Sequence, residues 1–458
     1  MVKICFDFPL YNQMNANWNR HFDDSLQNHI VSSKTFVAGE TVLFDTPSVY
    51  VSAYPTTLSR CDVCSAAVTN ASICSSCHFF CYCSSCELPS WHSSCECELL
   101  QNLKFLPTDD GYSSLMLVRL ALRVWSMSQS GHDPIEGFCS DSLILMERTE
   151  QYKGYLSLLS ALGCTLSSID LFGQLEVNCH DVPDLPNVPQ SSGMAAFQTA
   201  RLLTHSCVPN CSMYSDGGQL IITAVRPIKP NEVLTVSYID NLKCVHERCS
   251  ELQSRYGFTC TCEGCSSSEL LPTCNLYCPS CKTCIFELHG EEFNCSNLNS
   301  NPKSVVEELK YVVEDVLACR LEVVESFYKG DLKLVTLLKF MRFCEGFKSS
   351  SNTLCKSNSL VVSLISLFMK SVIDSTIIPI NRKKEFILYG LNVIEPYFQY
   401  NVGVAADVTL HYAVFTIHHS LLPKFDLDKL VETAVHYEKL HKGEKAASQL
   451  LKKFLSMF

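Results

Sequence analysis

Arg201-Leu202-Leu203-Thr204-His205-Ser206-Cys207-Val208-Pro209-Asn210 opens the stretch that decides the fold. It runs through Val233-Leu-Thr-Val-Ser-Tyr238 and closes on Tyr256-Gly-Phe258-Thr-Cys260-Thr-Cys262-Glu-Gly-Cys265. Three thiols within six residues are too crowded for ordinary core packing. A tetrahedral zinc wants a fourth soft ligand, and Cys207 is the natural donor. Such a bond would pin the end of the stretch onto its beginning, with Tyr238 on a strand between them. A lone histidine is more often a core residue. At His205 the neighbours Cys207, Pro209 and Asn210 favour a site. Tyr238, at a strand end, reads as catalytic for the same reason of position.

Working outward, 458 residues with 47% hydrophobic content suffice for several domains with their own cores. No apolar run reaches membrane-spanning length, since Leu360–Met369 is shorter and contains serine. The start, Met1-Val-Lys-Ile-Cys-Phe-Asp-Phe-Pro, lacks a signal-peptide layout, so an intracellular protein is expected. Of 28 cysteines, nine lie between Cys61 and Cys97 and nine between Cys244 and Cys284. Inside a cell such clustering means zinc more often than disulfides, which remain the extracellular alternative. The net charge of −11 disfavours a general phosphate-binding surface and suits a cleft that receives a basic peptide.

Cys61-x-x-Cys64, Cys74-x-x-Cys77, Cys83-x-x-Cys86 and His92-x-x-Cys95 supply eight donors, enough for two tetrahedral zincs. A segment so short and so rich in serine could not otherwise bury a core. No lysine or arginine occurs from Cys61 to Leu100, so nothing offsets phosphate repulsion and direct DNA binding is not expected. A peptide-docking or purely structural finger fits better. Cys274-x-x-x-Cys278-Pro-Ser-Cys281-x-x-Cys284 reads either as a fourth zinc site or as a loop hairpin with free thiols.

Residues 26–51 read as strands, with a turn at Thr35–Glu40 leading into Thr41–Phe44. Ser113–Met127 reads as a buried helix with Arg119 and Arg123 on one face, and 140–172 as further helix. The prolines of 181–193 predict a loop. Gln219–Val225 and Val233–Tyr238 read as strands, Arg226–Glu232 as a turn, and Asp240–Tyr256 as a helix. Beyond Ser304 the apolar spacing is helical over Val305–Tyr328, Lys333–Phe347, Ser359–Val372, Arg382–Tyr397 and Asp426–Phe458.

The stretch from Thr204 to Cys265 resembles the second half of a SET domain with its cysteine-rich post-SET segment. With the cluster at 61–97, the chain resembles the SET and MYND domain-containing (SMYD) family of protein-lysine methyltransferases. The family's Asn-His-Ser-Cys-x-Pro-Asn stands here as Thr204-His-Ser-Cys-Val-Pro-Asn210. The resemblance implies an α+β, multidomain chain. A β-rich SET fold (1–60 and 181–240) is split by a MYND zinc finger (61–97) and a helical insertion (98–180). A post-SET zinc segment (241–300) and an all-α domain similar to tetratricopeptide repeats (301–458) follow. It implies S-adenosylmethionine as cofactor and three or four zincs.

Within the finger the resemblance interleaves the pairs: Cys61, Cys64, Cys83 and Cys86 on one zinc, Cys74, Cys77, His92 and Cys95 on the other. The last two pairs are spaced one residue tighter than the family's, so Cys81 and Cys97 stand as alternative donors. It implies Tyr238 and Tyr256 as catalytic residues, Phe258 beside the lysine channel, and Thr204 and His205 facing the adenosine. Asn28, Leu203, Thr204, His205, Tyr238, Tyr256 and Phe258 form the implied cofactor-binding set. The family's glycine-rich hairpin, counted back from Gly39-Glu40, falls on Gln27-Asn28-His29, where both glycines are absent. The implied partners are a basic protein substrate such as a histone tail and a proline-rich or other peptide on the finger. A monomer in cytoplasm and nucleus is implied. The alternative is a SET-fold scaffold that has lost its cofactor and works through its finger and helices.

Overall fold

The computed structural model describes residues 18–22, 28–52, 60–66, 68, 71–103, 112–140, 142–183, 191–216, 219–267, 270–273, 275–277, 285–287, 318, 358–374, 378–419 and 424–457. Expected elements over Val305–Tyr328 and Lys333–Phe347, apart from Ala318, lie outside the described residues, as do Gln27, Cys274, Cys278, Cys281 and Cys284. The chain divides into two compact units. One comprises Met1–Thr204, Met213–Thr235 and Gln253–Phe258; the other comprises His205–Ser212, Val236–Leu252 and Thr259–Phe458. Among the described residues no helix is long and apolar enough to cross a membrane.

The first unit mixes short strands with helices. Strand β1 (Trp18–Phe22) pairs antiparallel with β2 (Asn28–Ser32), matching His21 to His29. Asn28 and His29 therefore sit in a strand. Residues Ile30–Ser32 also bond to the turn before Leu234: Ser32 N–H donates to the Glu232 carbonyl at 2.9 Å, and Leu234 N–H to that of Ile30 at 2.9 Å. Strand β3 (Thr41–Asp45) pairs with Gln219–Ala224, and β4 (Pro47–Ser52) follows directly.

At the two ends of the loop expected over 181–193, two strands occur, while 184–190 lie outside the described residues. They are Cys179–Pro183 and Ser191–Phe197, and the second pairs with both the first and β4. The proline-bearing strand lies at the edge of that sheet, and Pro183 is its last residue, where no ladder donor is needed. Helices α1 (Cys97–Leu103), α2 (Tyr112–Gln129), α3 (Ser142–Ala161) and α4 (Asp170–Asn178) make up the insertion. Their Leu100, Leu120, Leu159 and Phe172 share one core with Val51 of β4 and Phe80 of the finger. The finger is thus seated on the insertion rather than tethered to it.

The second unit is mainly helical. Helix α5 (Val245–Tyr256) begins at 245 rather than 240, and α6 (Glu263–Ser266) is one turn. Then follow α7 (Ser359–Asp374), α8 (Ile380–Ile394), α9 (Val402–His419), α10 (Lys424–Lys442) and α11 (Glu444–Leu455). Helix α9 escaped the sequence reading. It packs on both α7 and α10, so apolar residues surround it and no polar stripe marks a period. The long expected helix at 426–458 is broken at Gly443, whose φ of +86° a β-carbon would resist.

Candidate functional site: three thiol clusters and the His205–Tyr238 linkage

Among the described residues, three groups of four donors lie with every ligand atom within 4.8 Å of the others: Cys61, Cys64, Cys83, Cys86; Cys74, Cys77, His92, Cys97; and Cys207, Cys260, Cys262, Cys265. The spacing itself tests whether zinc fits. Zinc–sulfur bonds of about 2.3 Å in a tetrahedron put sulfurs about 3.8 Å apart. Cys64 and Cys83 are 3.8 Å apart, Cys74 and Cys97 3.6 Å, and Cys207 and Cys265 3.6 Å. Backbone N–H groups also point at the sulfurs: Val63 and Cys83 donate to Cys61 Sγ, and Cys207 donates to Cys262 Sγ. These donors stabilise thiolate rather than thiol. All these cysteines are free thiols; Cys244, outside the clusters, is in a disulfide.

The second group corrects the expected ligand set: Cys97 takes the place given to Cys95. The cause is a π-helical turn over His92–Glu96, in which the Cys97 N–H reaches the His92 carbonyl. In a π turn residue i+5 lies beneath residue i, whereas His-x-x-Cys spacing assumes α geometry. Cys95 instead packs, half-buried, against the core of the insertion. Cys81 is no ligand either, since its thiol donates to the Arg60 carbonyl at 2.7 Å.

Behind the ligands stand residues that spacing could not reveal. His92 offers Nε2 towards Cys77 at 3.7 Å while its Nδ1 meets Glu96 at 2.6 Å. A carboxylate there fixes the tautomer and the ring. Arg123 of α2 then bridges Glu96 (2.7 Å) and Asp62 (2.9 Å), and caps the Tyr50 carbonyl. Asp62 lies between Cys61 and Cys64, so one buried guanidinium joins both donor groups of the finger. Burial disfavours the Arg123 charge, but Glu96 and Asp62 outweigh it and raise its pKa.

The third group has its own arginine. Buried Arg248 donates to the Gly264 carbonyl at 2.7 Å and lies 3.9 Å from Cys265 Sγ. Glycine suits that point: a β-carbon would come within 2.8 Å of Leu271 Cδ1 and 3.3 Å of Cys207 Cβ, so those neighbours would have to shift. Asn241 donates to the Cys207 carbonyl at 3.2 Å and accepts from Asn401 at 2.9 Å. Nothing in the sequence singled it out.

The cluster reaches Tyr238 through His205. Its Nε2 lies 3.3 Å from Cys207 Sγ, and its Nδ1 accepts the Tyr238 backbone N–H at 3.0 Å. The two rings are 5.2 Å apart. Burial pushes His205 down to about 4, so it is neutral near pH 7, with Nε2 carrying the proton. Both nitrogens are thereby spent within the protein, and the ring has none to offer a cofactor. Ser206 N–H donates to the Val236 carbonyl at 3.0 Å. Strand Thr235–Val236 is shorter than expected, so Tyr238 lies in a bend beyond it.

The other expected site residues belong to the first unit. Thr204 N–H donates to the Leu234 carbonyl at 3.3 Å, and its side chain is half-buried. Tyr256 ends α5 with the Arg255 guanidinium 5.5 Å over its ring, and Phe258 follows; both are half-buried. Leu203 is buried. In kind, these residues fit a sulfonium nucleoside: a hydroxyl at Thr204 and aromatic faces at Tyr256 and Phe258.

A SET domain profile matches residues 29–239. The chain is 27% identical over 224 residues to the histone-lysine N-methyltransferase SMYD3 of Mus musculus, covering 46% of this chain and 52% of that protein. It is 26% identical over 260 residues to the histone-lysine N-methyltransferase ASHR1 of Arabidopsis thaliana, covering 52% of each. Over 103 residues it is 35% identical to the human N-lysine methyltransferase SMYD2, covering 22% of this chain and 23% of that protein. In its longer matches the chain spans about half the length of these curated relatives. A solved SET domain of LSMT, bound to lysine and AdoHcy, aligns over 90% of this chain and 89% of that one. Its TM-score of 0.26 and 11% identity are too loose for sites to be compared.

Proposed function

We propose that the chain is a member of the SET and MYND domain-containing family and, from that membership, an S-adenosylmethionine-dependent protein-lysine N-methyltransferase. The observation that carries this reading is the Cys207–His205–Tyr238 linkage. It ties a thiol cluster to the backbone of the one residue whose hydroxyl the reaction needs.

S-adenosylmethionine, when bound, supplies a methyl group made electrophilic by the sulfonium. The chain's own residues must then place a neutral lysine amine in line with that methyl and keep water out. Tyr238 orients the amine with its hydroxyl. Tyr256 and Phe258 flank the lysine stem and favour its cationic head. Leu203 and Thr204 hold the adenosine part, and Asn28 the methionine end. Neutral His205 works one step back, holding the Tyr238 backbone where the hydroxyl must act. The net charge of −11 supports a basic protein segment such as a histone tail as substrate.

In the same proposal, 61–97 is a MYND-type finger that docks a peptide, a proline-rich one among the candidates. The C-terminal helices are a tetratricopeptide-like cap, and the enzyme works in cytoplasm and nucleus. Three zincs occupy the three thiol groups.

The test is calorimetric titration of S-adenosylmethionine, followed by methyl transfer to core histones. Tyr238→Phe should keep cofactor binding and lose about 100- to 1000-fold in turnover. Near-normal turnover would reduce Tyr238 to a core tyrosine. No heat with millimolar cofactor would favour the scaffold, a reading supported by the side chains at Gln27 and His29 where the family has glycine.

A further inference from the structure

Strand β3 ends on Asp45, whose register opposite Leu220 turns its carboxyl inward, leaving 6% of the residue exposed. One of its oxygens takes two backbone amides: Oδ2 accepts the N–H of Thr199 at 2.8 Å and of Ala200 at 2.7 Å. These two amides open the 3-10 turn Ala200–Leu202, within which Leu202 donates to Thr199 and Leu203 to Ala200, each at 3.0 Å. The first amides of such a turn have no partner inside it. The next residues are Leu203 and Thr204.

The far side of the turn is held separately. Gln198 Nε2 donates to the Pro134 carbonyl at 2.9 Å, and Arg201 donates to that of Gly137 at 2.9 Å with its guanidinium over Phe138. Burial raises the Asp45 carboxyl to about 6, while the amides of Ala200 and Thr199 pull it down. A carboxylate buried against neutral donors is an expensive way to fill space. What the position gains is a two-pronged acceptor for backbone that arrives more than 150 residues later.

We propose that Asp45 is a positioning residue of the cofactor run: by clamping the turn at Thr199–Ala200 it sets where Leu203 and Thr204 stand. The role given to Leu203 and Thr204 rests on the methyltransferase reading; the clamp itself does not.

Two readouts on full-length, zinc-loaded protein separate these. Amide hydrogen exchange over 199–204 reads the clamp, and calorimetric titration of S-adenosylmethionine reads its consequence. Asp45→Ala is expected to speed exchange in that segment by about tenfold or more, leave the finger's amides unchanged, and weaken cofactor binding about 10- to 100-fold. Asp45→Asn keeps one oxygen able to take both amides, so both readouts should stay within about threefold of wild type. Asp45→Thr, a short uncharged acceptor, should fall between them and serves if the alanine variant does not fold. Unchanged exchange in Asp45→Ala or Asp45→Thr, or Asp45→Asn as damaged as alanine, would overturn the clamp. Faster exchange with unaltered affinity would overturn its link to the cofactor. A wild type that binds no cofactor would remove the methyltransferase reading and that link with it, while the exchange results still decide the clamp.

Discussion

In the finger, donors that share a group lie close in sequence: Cys64 and Cys83 are 19 residues apart, Cys74 and Cys97 23. In the Cys207 group, the 55- and 58-residue separations to Cys262 and Cys265 span three strands and a helix. A metal in the finger would shape a segment too small to fold by its own core. A metal in the other group would close a long loop already made of folded elements, and His205 turns that closure into a position for Tyr238. The arginines differ in the same sense. Arg123 joins two donor groups through two carboxylates, whereas Arg248 meets the carbonyls of Lys243 and Gly264 and a sulfur.

The largest expected effect separates the regions outright. Cys207→Ser should release one zinc, abolish methyl transfer and leave the finger's two zincs in place, because a structural zinc contributes on the order of 10 kcal/mol locally. Elemental analysis beside activity reads this, and full activity with two zincs would break the contrast. The finger has a matched pair: Cys97→Ser should lose one zinc and Cys95→Ser none. Equal zinc loss from both would return Cys95 to the ligand set.

Next come the arginines. Arg123→Ala leaves Glu96 and Asp62 buried without their cation and should cost about 3–5 kcal/mol. Arg248→Ala removes bonds to two carbonyls and a sulfur and should cost about 1–3 kcal/mol. Denaturant unfolding of both variants measures the difference, and the reverse order would mean that the Cys207 group depends more on its surroundings than the finger does. The smallest effect is expected at Thr204. Thr204→Asn restores the family's amide and should tighten S-adenosylmethionine by about tenfold, the worth of one good hydrogen bond. No change in a titration would place the missing affinity at the glycine-free hairpin instead.

Most of the thiols that gather into groups could be read directly, because zinc spacing is a local pattern. Helix α2 with its two arginines, the turn before β3 and strand Gln219–Ala224 were legible for the same reason. Helix α9 was not, since burial on all sides erases the period that marks a helix. The strand at 179–183 was hidden by prolines that an edge position tolerates.

What the sequence determined by itself was the inventory: which side chains can hold zinc, and roughly where helices and strands run. Those follow from residue type and from spacings of a few residues. Tertiary structure alone decided the partners. It chose Cys97 over Cys95 through a π turn, set Glu96 and Arg123 behind His92, and brought Asp45 under the turn at Thr199. It also gave His205 two nitrogens' worth of work inside the protein. Each choice depends on angles and on contacts between distant segments, and no spacing along the chain encodes those.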